Sequence, residues 1–338
     1  MADQENPGIT NVIPDHYDLL EVHPQARIEV IEAAFQALLA LHPNGARTAQ
    51  LREAHETLAD PKRRRAYDRE RTDLVGTVIG SYRVVEQIAE GAIGITYRGE
   101  HILTGLPVCV KHCAWLDAET NATLVHEAKL LWGLAHFALP VIHDIIRCAD
   151  GRIALIMQYV PGPTIAQYVE KHGRIDPPVH VTWIAERILN ALWYLHDHDI
   201  VHGDLKPQNV ILQPKDHLLK IVDFGLAMAK PTAHSENAGY TPRFSPPEQQ
   251  HLHGPLVSAS DFYALGMTMV YALGGMPCVE RREIPTHIPA PLRAFIKKLI
   301  VLDVRERKFR ANVLLEELGR VRVESFGSAH SNMLPLPT

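Results

Sequence analysis

The chain has 338 residues, enough for two domains of which one holds a full core. Its 46% hydrophobic and 22% charged residues exclude a disordered or fibrous chain and fit an ordinary soluble globular protein. A net charge of −5 gives no reason to expect nucleic acid or a membrane surface as the main partner.

Residues 1–13 are polar, lack a basic-then-apolar leader pattern and are read as a flexible N-terminus. Ile28, Ile31, Phe35, Leu38 and Leu39 recur at helical spacing between Ala26 and His42, and a second periodic stretch runs from Ala46 to Asp60. His42-Pro43-Asn44-Gly45 punctuates the two, and Pro61 is placed to open a third helix over 62–71. Residues 72–81 are read as a linker. The pattern then changes to short β-type runs at Tyr82–Ile88, Ile95–His101 and Leu106–His112, and, after a helix, at Val141–Cys148 and Ile153–Tyr159. Beyond Pro161-Gly162-Pro163 the chain reads as mainly helical, with Ile184, Ile188, Leu192 and Leu195 forming one apolar stripe. A Ser/Pro-containing tail, 325–338, is read as disordered.

No stretch approaches the roughly 20 apolar residues of a membrane span, and a cytoplasmic location is expected. Cys109, Cys113, Cys148 and Cys278 show neither paired nor evenly spaced positions and read as reduced thiols. The twenty histidines are scattered without a metal-type spacing supported by Cys or Asp, so all but His202 read as core or solvated side chains. The run Lys62 to Arg65 reads as a solvated helix face.

Two constellations carry more. In the first seventy residues, Tyr17-Asp18-Leu19-Leu20, His42-Pro43-Asn44, Leu58-Ala59-Asp60-Pro61 and Arg65-Ala66-Tyr67-Asp68 occur in an order that resembles a J-domain over 14–71. The resemblance departs at the His-Pro-Asp signature, where Asn44 replaces the Asp, and no Lys or Arg lies between Ile28 and Pro43. It implies docking of a protein partner without activation of a heat-shock chaperone.

The second constellation is His202-Gly203-Asp204-Leu205-Lys206-Pro207-Gln208-Asn209, followed fourteen residues later by Asp223-Phe224-Gly225. Upstream lie a glycine-containing turn, Gly91 to Gly94, the strand Val108-Cys109-Val110-Lys111 and, sixteen residues past the lysine, Glu127. Downstream lie Gly239-Tyr240-Thr241-Pro242, Pro246-Pro247-Glu248, Ser260-Asp261-Phe262 and Arg307. Together these resemble a bacterial Hanks-type Ser/Thr protein kinase over 82–324, with an N-lobe at 82–160 and a C-lobe at 161–324. The expected fold is α+β, a two-lobed protein-kinase-like fold with an N-terminal all-α J-like helical domain.

The resemblance implies that Asp204 orients the substrate hydroxyl, Lys206 neutralises the transferring phosphoryl and Thr241 contacts both. Gly91, Gly94, Lys111, Glu127, Met157, Gln158 and Tyr159 are the expected ATP-binding residues, the last two through backbone groups. Asn209 and Asp223 are the expected Mg2+ ligands. Ala89 and Thr96 stand where the family has Gly and Val, so nucleotide closure is expected to be weakened. His-Gly-Asp-Leu also resembles small-molecule phosphotransferases of the antibiotic-kinase type. Glu248 with its expected partner Arg307 favours a polypeptide-docking lobe and hence a protein substrate. A nucleotide-binding pseudokinase scaffold is the alternative reading.

Overall fold

The computed structural model describes residues 15–24, 26–70, 74–91, 93–114, 118–213, 215, 217–232, 235, 239–250, 256–328 and 336. The expected flexible segment 1–13 lies outside them.

Four helices form the first unit: α1 (His16–Leu19), α2 (Ile28–Leu41), α3 (Ala46–Ala59) and α4 (Pro61–Glu70). Ile31, Phe35 and Leu38 of α2 meet Leu51, Ala54 and Leu58 of α3 because 3.6-residue periodicity stacks each set on one face. Tyr17, Leu19 and Leu20 complete this core. Asp60 caps α4 by accepting from the N–H groups of Lys62 and Arg63 at 2.8 and 2.9 Å. Those bonds hold its carboxyl below the ordinary range. The two ends of the unit are tied together, with Tyr17 donating to Asp68 Oδ1 at 2.7 Å and Tyr67 to Asp15 Oδ1 at 2.8 Å. One residue of the basic run departs from the expected solvated face. Arg64 donates to the carbonyls of Pro24 and Ala26 at 2.8 and 3.0 Å and to the Tyr17 hydroxyl at 3.0 Å.

The second unit opens with β1 (Val78–Ile79), β2 (Tyr82–Glu90), β3 (Gly94–His101) and β4 (Pro107–Cys113). After α5 (Ala118–Leu131) come β5 (Ile142–Arg147) and β6 (Ile153–Gln158). The six strands make one antiparallel sheet in the order β1-β2-β3-β4-β6-β5. Part of the expected linker belongs to this lobe: β1 pairs with β2, Ile79 is in the sheet core and Leu74 packs against it. A two-residue strand has no periodicity to mark it in the sequence.

The larger lobe contains α6 (Ile165–His172), α7 (Val179–Asp197), α8 (Ser258–Arg281), α9 (Ala290–Leu299) and α10 (Ala311–Phe326). Its short strands are β7 (Ile200–Val201), β8 (Val210–Gln213), β9 (Leu218–Ile221) and β10 (Met228–Ala229). β7 pairs with β10 and β8 with β9, and these two ribbons carry the loops of the cleft. The stripe Ile184, Ile188, Leu192 and Leu195 of α7 is fully buried. α8 is long and apolar enough to meet the length and composition of a membrane span, contrary to the sequence expectation, but 78% of its apolar window is buried inside the protein. Its helical path breaks at Gly275 (φ 69°), leaving a short final segment before Arg282. The expected disordered tail also needs correction. α10 continues to Phe326, Gly327 ends it at φ 76°, and Leu336 is 1% exposed within the lobe core.

The two units touch through a charged group. Arg152, in the turn between β5 and β6, donates to the backbone carbonyl of Asp68 in α4 at 3.0 Å, with both residues buried.

In the larger lobe the buried guanidinium of Arg307 bonds Glu248 at 2.6 Å and also donates to the carbonyl of Ala259, while Ser260 donates to the other Glu248 oxygen at 3.1 Å. This is the expected partnership of Glu248 and Arg307. Removing one member of a buried pair strands the other charge, which costs about 3–5 kcal/mol. Arg307→Ala is therefore expected to lower unfolding free energy in urea by that amount, and Glu248→Gln by less, because the amide keeps hydrogen-bonding capacity.

Candidate active site

Lys111 lies on β4, the strand flanked by β3 and β6, and its register places it beside Thr96 and Leu155. A buried ammonium needs compensation, and two carboxylates supply it. Nζ is 2.7 Å from Glu127 Oε2 and 2.7 Å from Asp223 Oδ1. Burial alone would lower the lysine pKa, but the two carboxylates outweigh it and raise the value above the ordinary range. For Asp223 burial opposes ionisation, while the charge and hydrogen bond of Lys111 hold the carboxyl below its usual value. The second Glu127 oxygen accepts from the Phe224 N–H at 3.2 Å, so one side chain of α5 fixes both the lysine and the loop carrying Asp223. Asp223 itself sits at φ 67°.

The catalytic-loop residues form a second cluster. Lys206 Nζ donates to Asp204 Oδ2 at 2.6 Å and to Thr241 Oγ1 at 3.1 Å, and the Thr241 hydroxyl donates to Asp204 Oδ1 at 2.5 Å. Asn209 donates from Nδ2 to the carbonyl and Oδ2 of Asp204 at 2.9 and 3.1 Å. Its amide oxygen is then the group left to accept from or ligate something else. Asn209 O accepts from the Val222 N–H at 2.9 Å, linking the loop to the residue before Asp223.

At the nucleotide end, Gly91 N–H donates to Gly94 O at 2.9 Å and closes the turn between β2 and β3. A side chain at Gly94 would meet His112 O at 2.3 Å, so the close approach of β3 and β4 requires glycine there. Met157 is buried with Leu124, Ala128 and Leu155 behind the lysine. The N–H of Gln158 is donated to Val141 O at 2.8 Å. Among the described residues, the N–H groups of Tyr159 and Val160 have no such partner and remain for a ligand.

Two residues with no role assigned from sequence hold the loop in place. Asp261 of α8, fully buried, accepts from the backbone N–H groups of His202 and Gly203 at 3.0 and 2.9 Å and pairs with His196 Nε2 at 2.8 Å. Burial opposes its ionisation, but these partners keep the carboxyl below the ordinary range. Gln249 donates to Gly203 O at 2.6 Å and to Gly239 O at 3.1 Å, joining the catalytic loop to the segment bearing Thr241. An acidic residue inside an apolar helical run was the available signal for Asp261. Gln249 gave none.

The oxygen donors of Asn209 and Asp223 are hard ligands that suit a divalent cation accompanying phosphate, and the Asp223 side chain is 40% exposed toward solvent. The charge distribution suits phosphoryl transfer: a cation on the strand paired with the Asp223 carboxylate, and a carboxylate–lysine pair with an Asn amide beside it in the larger lobe.

Comparison with known proteins agrees with this chemistry. The family described as protein kinase domain matches residues 82–316, and the family described as DnaJ domain matches residues 15–68. The chain is similar to the serine/threonine-protein kinase ATG1b of Arabidopsis thaliana, 30% identical over 205 residues that cover 59% of this chain and 28% of that protein. It is also similar to cyclin-dependent kinase 14 of Xenopus tropicalis, 32% identical over 199 residues, covering 58% and 46% of the two chains. The Homo sapiens protein of that name gives 32% over 199 residues, with 42% of its own length covered. The chain thus spans under half the length of these curated relatives.

Gly203 generates a test. Its φ is 73°, and a Cβ there would meet Leu226 O at 2.8 Å. Gly203→Ala is expected to cost about 1–3 kcal/mol of stability from the backbone strain, and to lower kcat more than it raises KM for the nucleotide. Urea unfolding and steady-state kinetics on the same preparation check this.

Proposed function

The chain belongs to the protein kinase family, and on that premise we propose that it transfers the γ-phosphoryl group of MgATP to Ser or Thr hydroxyls of proteins. The observation that carries the proposal is the joint hydrogen bonding of Asp204, Lys206 and Thr241, together with the Lys111–Glu127–Asp223 ion cluster. Phosphoryl transfer depends on positioning and charge neutralisation more than on covalent chemistry. Asp204 orients and accepts the proton of the attacking hydroxyl, while Lys206 lies beside it to offset charge on the transferring group. Lys111, fixed by Glu127, takes the non-transferring phosphates. Asn209 and Asp223 would hold Mg2+, which supplies positive charge to the phosphate oxygens when bound. The Glu248–Arg307 pair supports a polypeptide substrate by bracing the segment around Thr241 against α8.

Asp223→Asn should abolish turnover and Asp204→Asn should reduce it severely, while both variants stay folded. If the wild-type protein binds ATP yet phosphorylates neither itself nor any protein of a lysate, the pseudokinase scaffold replaces this reading.

The site needs no phosphate on its activation segment. Gly203 stands where regulated kinases carry an Arg that attracts such a phosphate, and Gln249 already makes the link between loop and segment with neutral hydrogen bonds. Thr232 and Ser235 bond each other, with Thr232 N–H donating to Ser235 Oγ at 2.9 Å. Replacing both with Ala is expected to leave the rate unchanged. A large loss of activity in a folded double variant counts against this account.

For the helical unit we propose partner docking rather than chaperone activation. His42-Pro43-Asn44 is exposed, but Asn44 lacks the anionic charge of the family's Asp, so a charge-assisted contact is lost. α2 presents Glu29 and Glu32 with no cation, which removes electrostatic attraction to an acidic chaperone surface. The bond from Arg152 to Asp68 O supports bracing of the smaller lobe as one such docking role. The full-length protein is expected not to stimulate a heat-shock ATPase, and Asn44→Asp to add little. Strong stimulation by the unmodified protein would refute the proposal.

A further inference from the structure

On the face of the N-lobe sheet away from the cleft lies a group of side chains that the phosphoryl-transfer site does not use. Side chains alternate along a strand, so His112 points opposite to its neighbour Lys111. His112 is 1% exposed, and neither of its ring nitrogens has a hydrogen-bond partner. Buried polar groups are nearly always satisfied, and an imidazole with both nitrogens orphaned calls for an explanation. Two further donors lie next to it. Cys148 and Asp150 belong to the tight turn joining β5 to β6, closed by bonds of 2.8 Å from Cys148 N–H to Arg152 O and 2.9 Å from Gly151 N–H to Cys148 O. One ligand atom from each of His112, Cys148 and Asp150 lies within 4.8 Å of the others.

We propose that His112, Cys148 and Asp150 form a binding site for a divalent transition-metal ion of the zinc class, separate from the catalytic cation site. The donor set is one imidazole nitrogen, one sulfur and one carboxylate oxygen. That mixture favours zinc over magnesium or calcium, which take oxygen ligands. Zinc bonds of about 2.0–2.3 Å place tetrahedral ligands about 3.3–3.8 Å apart, so any wider pair in the group has to close to that spacing. The turn carrying Cys148 and Asp150 is the part able to move. Three protein ligands leave a fourth position for water.

Charge is balanced. The thiol, whose pKa burial pushes up to about 11, releases its proton to solvent as the sulfur–metal bond forms. The thiolate and the Asp150 carboxylate then match the two positive charges of the ion. Arg152 is the opposing group: its Nε is 3.5 Å from Asp150 Oδ2, and its backbone N–H donates to Asp150 Oδ1 at 3.0 Å. The same side chain reaches α4 through Asp68 O, so the site lies beside the junction of the two units.

The test is a Co2+ titration of the purified full-length protein, followed by thiolate-to-cobalt charge-transfer absorption. One equivalent should saturate the band, and Zn2+ should displace it. Cys148→Ser should abolish the band, and Asp150→Asn should weaken binding about 10–100-fold. Both replacements lie in the turn, and because Cys148 packs against the sheet core, thermal unfolding of each variant verifies folding. Oxygen donors such as Asn209 and Asp223 give no such band, so their occupancy does not imitate the result. Absence of the band in the wild-type protein, or its persistence unchanged in folded Cys148→Ser, overturns the proposal.

Discussion

A single buried cation organises the catalytic half of this protein. Lys111 cannot sit on an interior strand without opposite charge, and the two carboxylates that satisfy it arrive from distant parts of the chain, Glu127 on α5 and Asp223 beyond β9. Because Glu127 also accepts from the Phe224 backbone, the position of α5, the lysine and the loop carrying Asp223 are settled together. Displacing α5 would leave an ammonium facing one carboxylate and a backbone N–H without its acceptor. The sheet, the helix and the loop therefore hold one another in the arrangement that phosphates require.

The larger lobe solves a related problem with the opposite charge. Asp261 is buried in α8 and keeps its ionised form by collecting two backbone N–H groups and His196. Those N–H groups belong to the start of the catalytic loop, so the most buried part of the lobe sets the backbone from which Asp204 projects. Gly203 makes this possible by adopting a positive φ where a side chain would press on Leu226. Gln249 then extends the same support to the Thr241 segment. Core packing and catalytic geometry meet in three residues, Asp261, Gly203 and Gln249.

What could be read from the sequence was what is local. Helix periodicity marked α2, α3 and α7, alternating and apolar runs marked the principal strands, and closely spaced motifs marked the catalytic loop. Residues acting across long chain separations left weaker traces. The linker reading missed Leu74 and Ile79 because their burial depends on a sheet formed by later strands. The tail reading missed Leu336 because one apolar residue among polar ones carries no pattern. His112, Cys148 and Asp150 showed no metal-type spacing because strand pairing, not sequence proximity, brings them together.

Arg152 meets α4 in its last turn, where helix carbonyls lack intrahelical donors and the macrodipole is negative. Its guanidinium thus serves as a C-terminal cap supplied by another domain. A cap of this kind couples a helix terminus to domain arrangement: when the units separate, Asp68 O loses the charged donor that Arg152 supplies. Tyr17 bonds the Asp68 side chain in that same turn, so the contact between the units and the closure between α1 and α4 meet in one residue. A partner that pries the two units apart therefore acts on the residue that also ties the ends of the helical unit together.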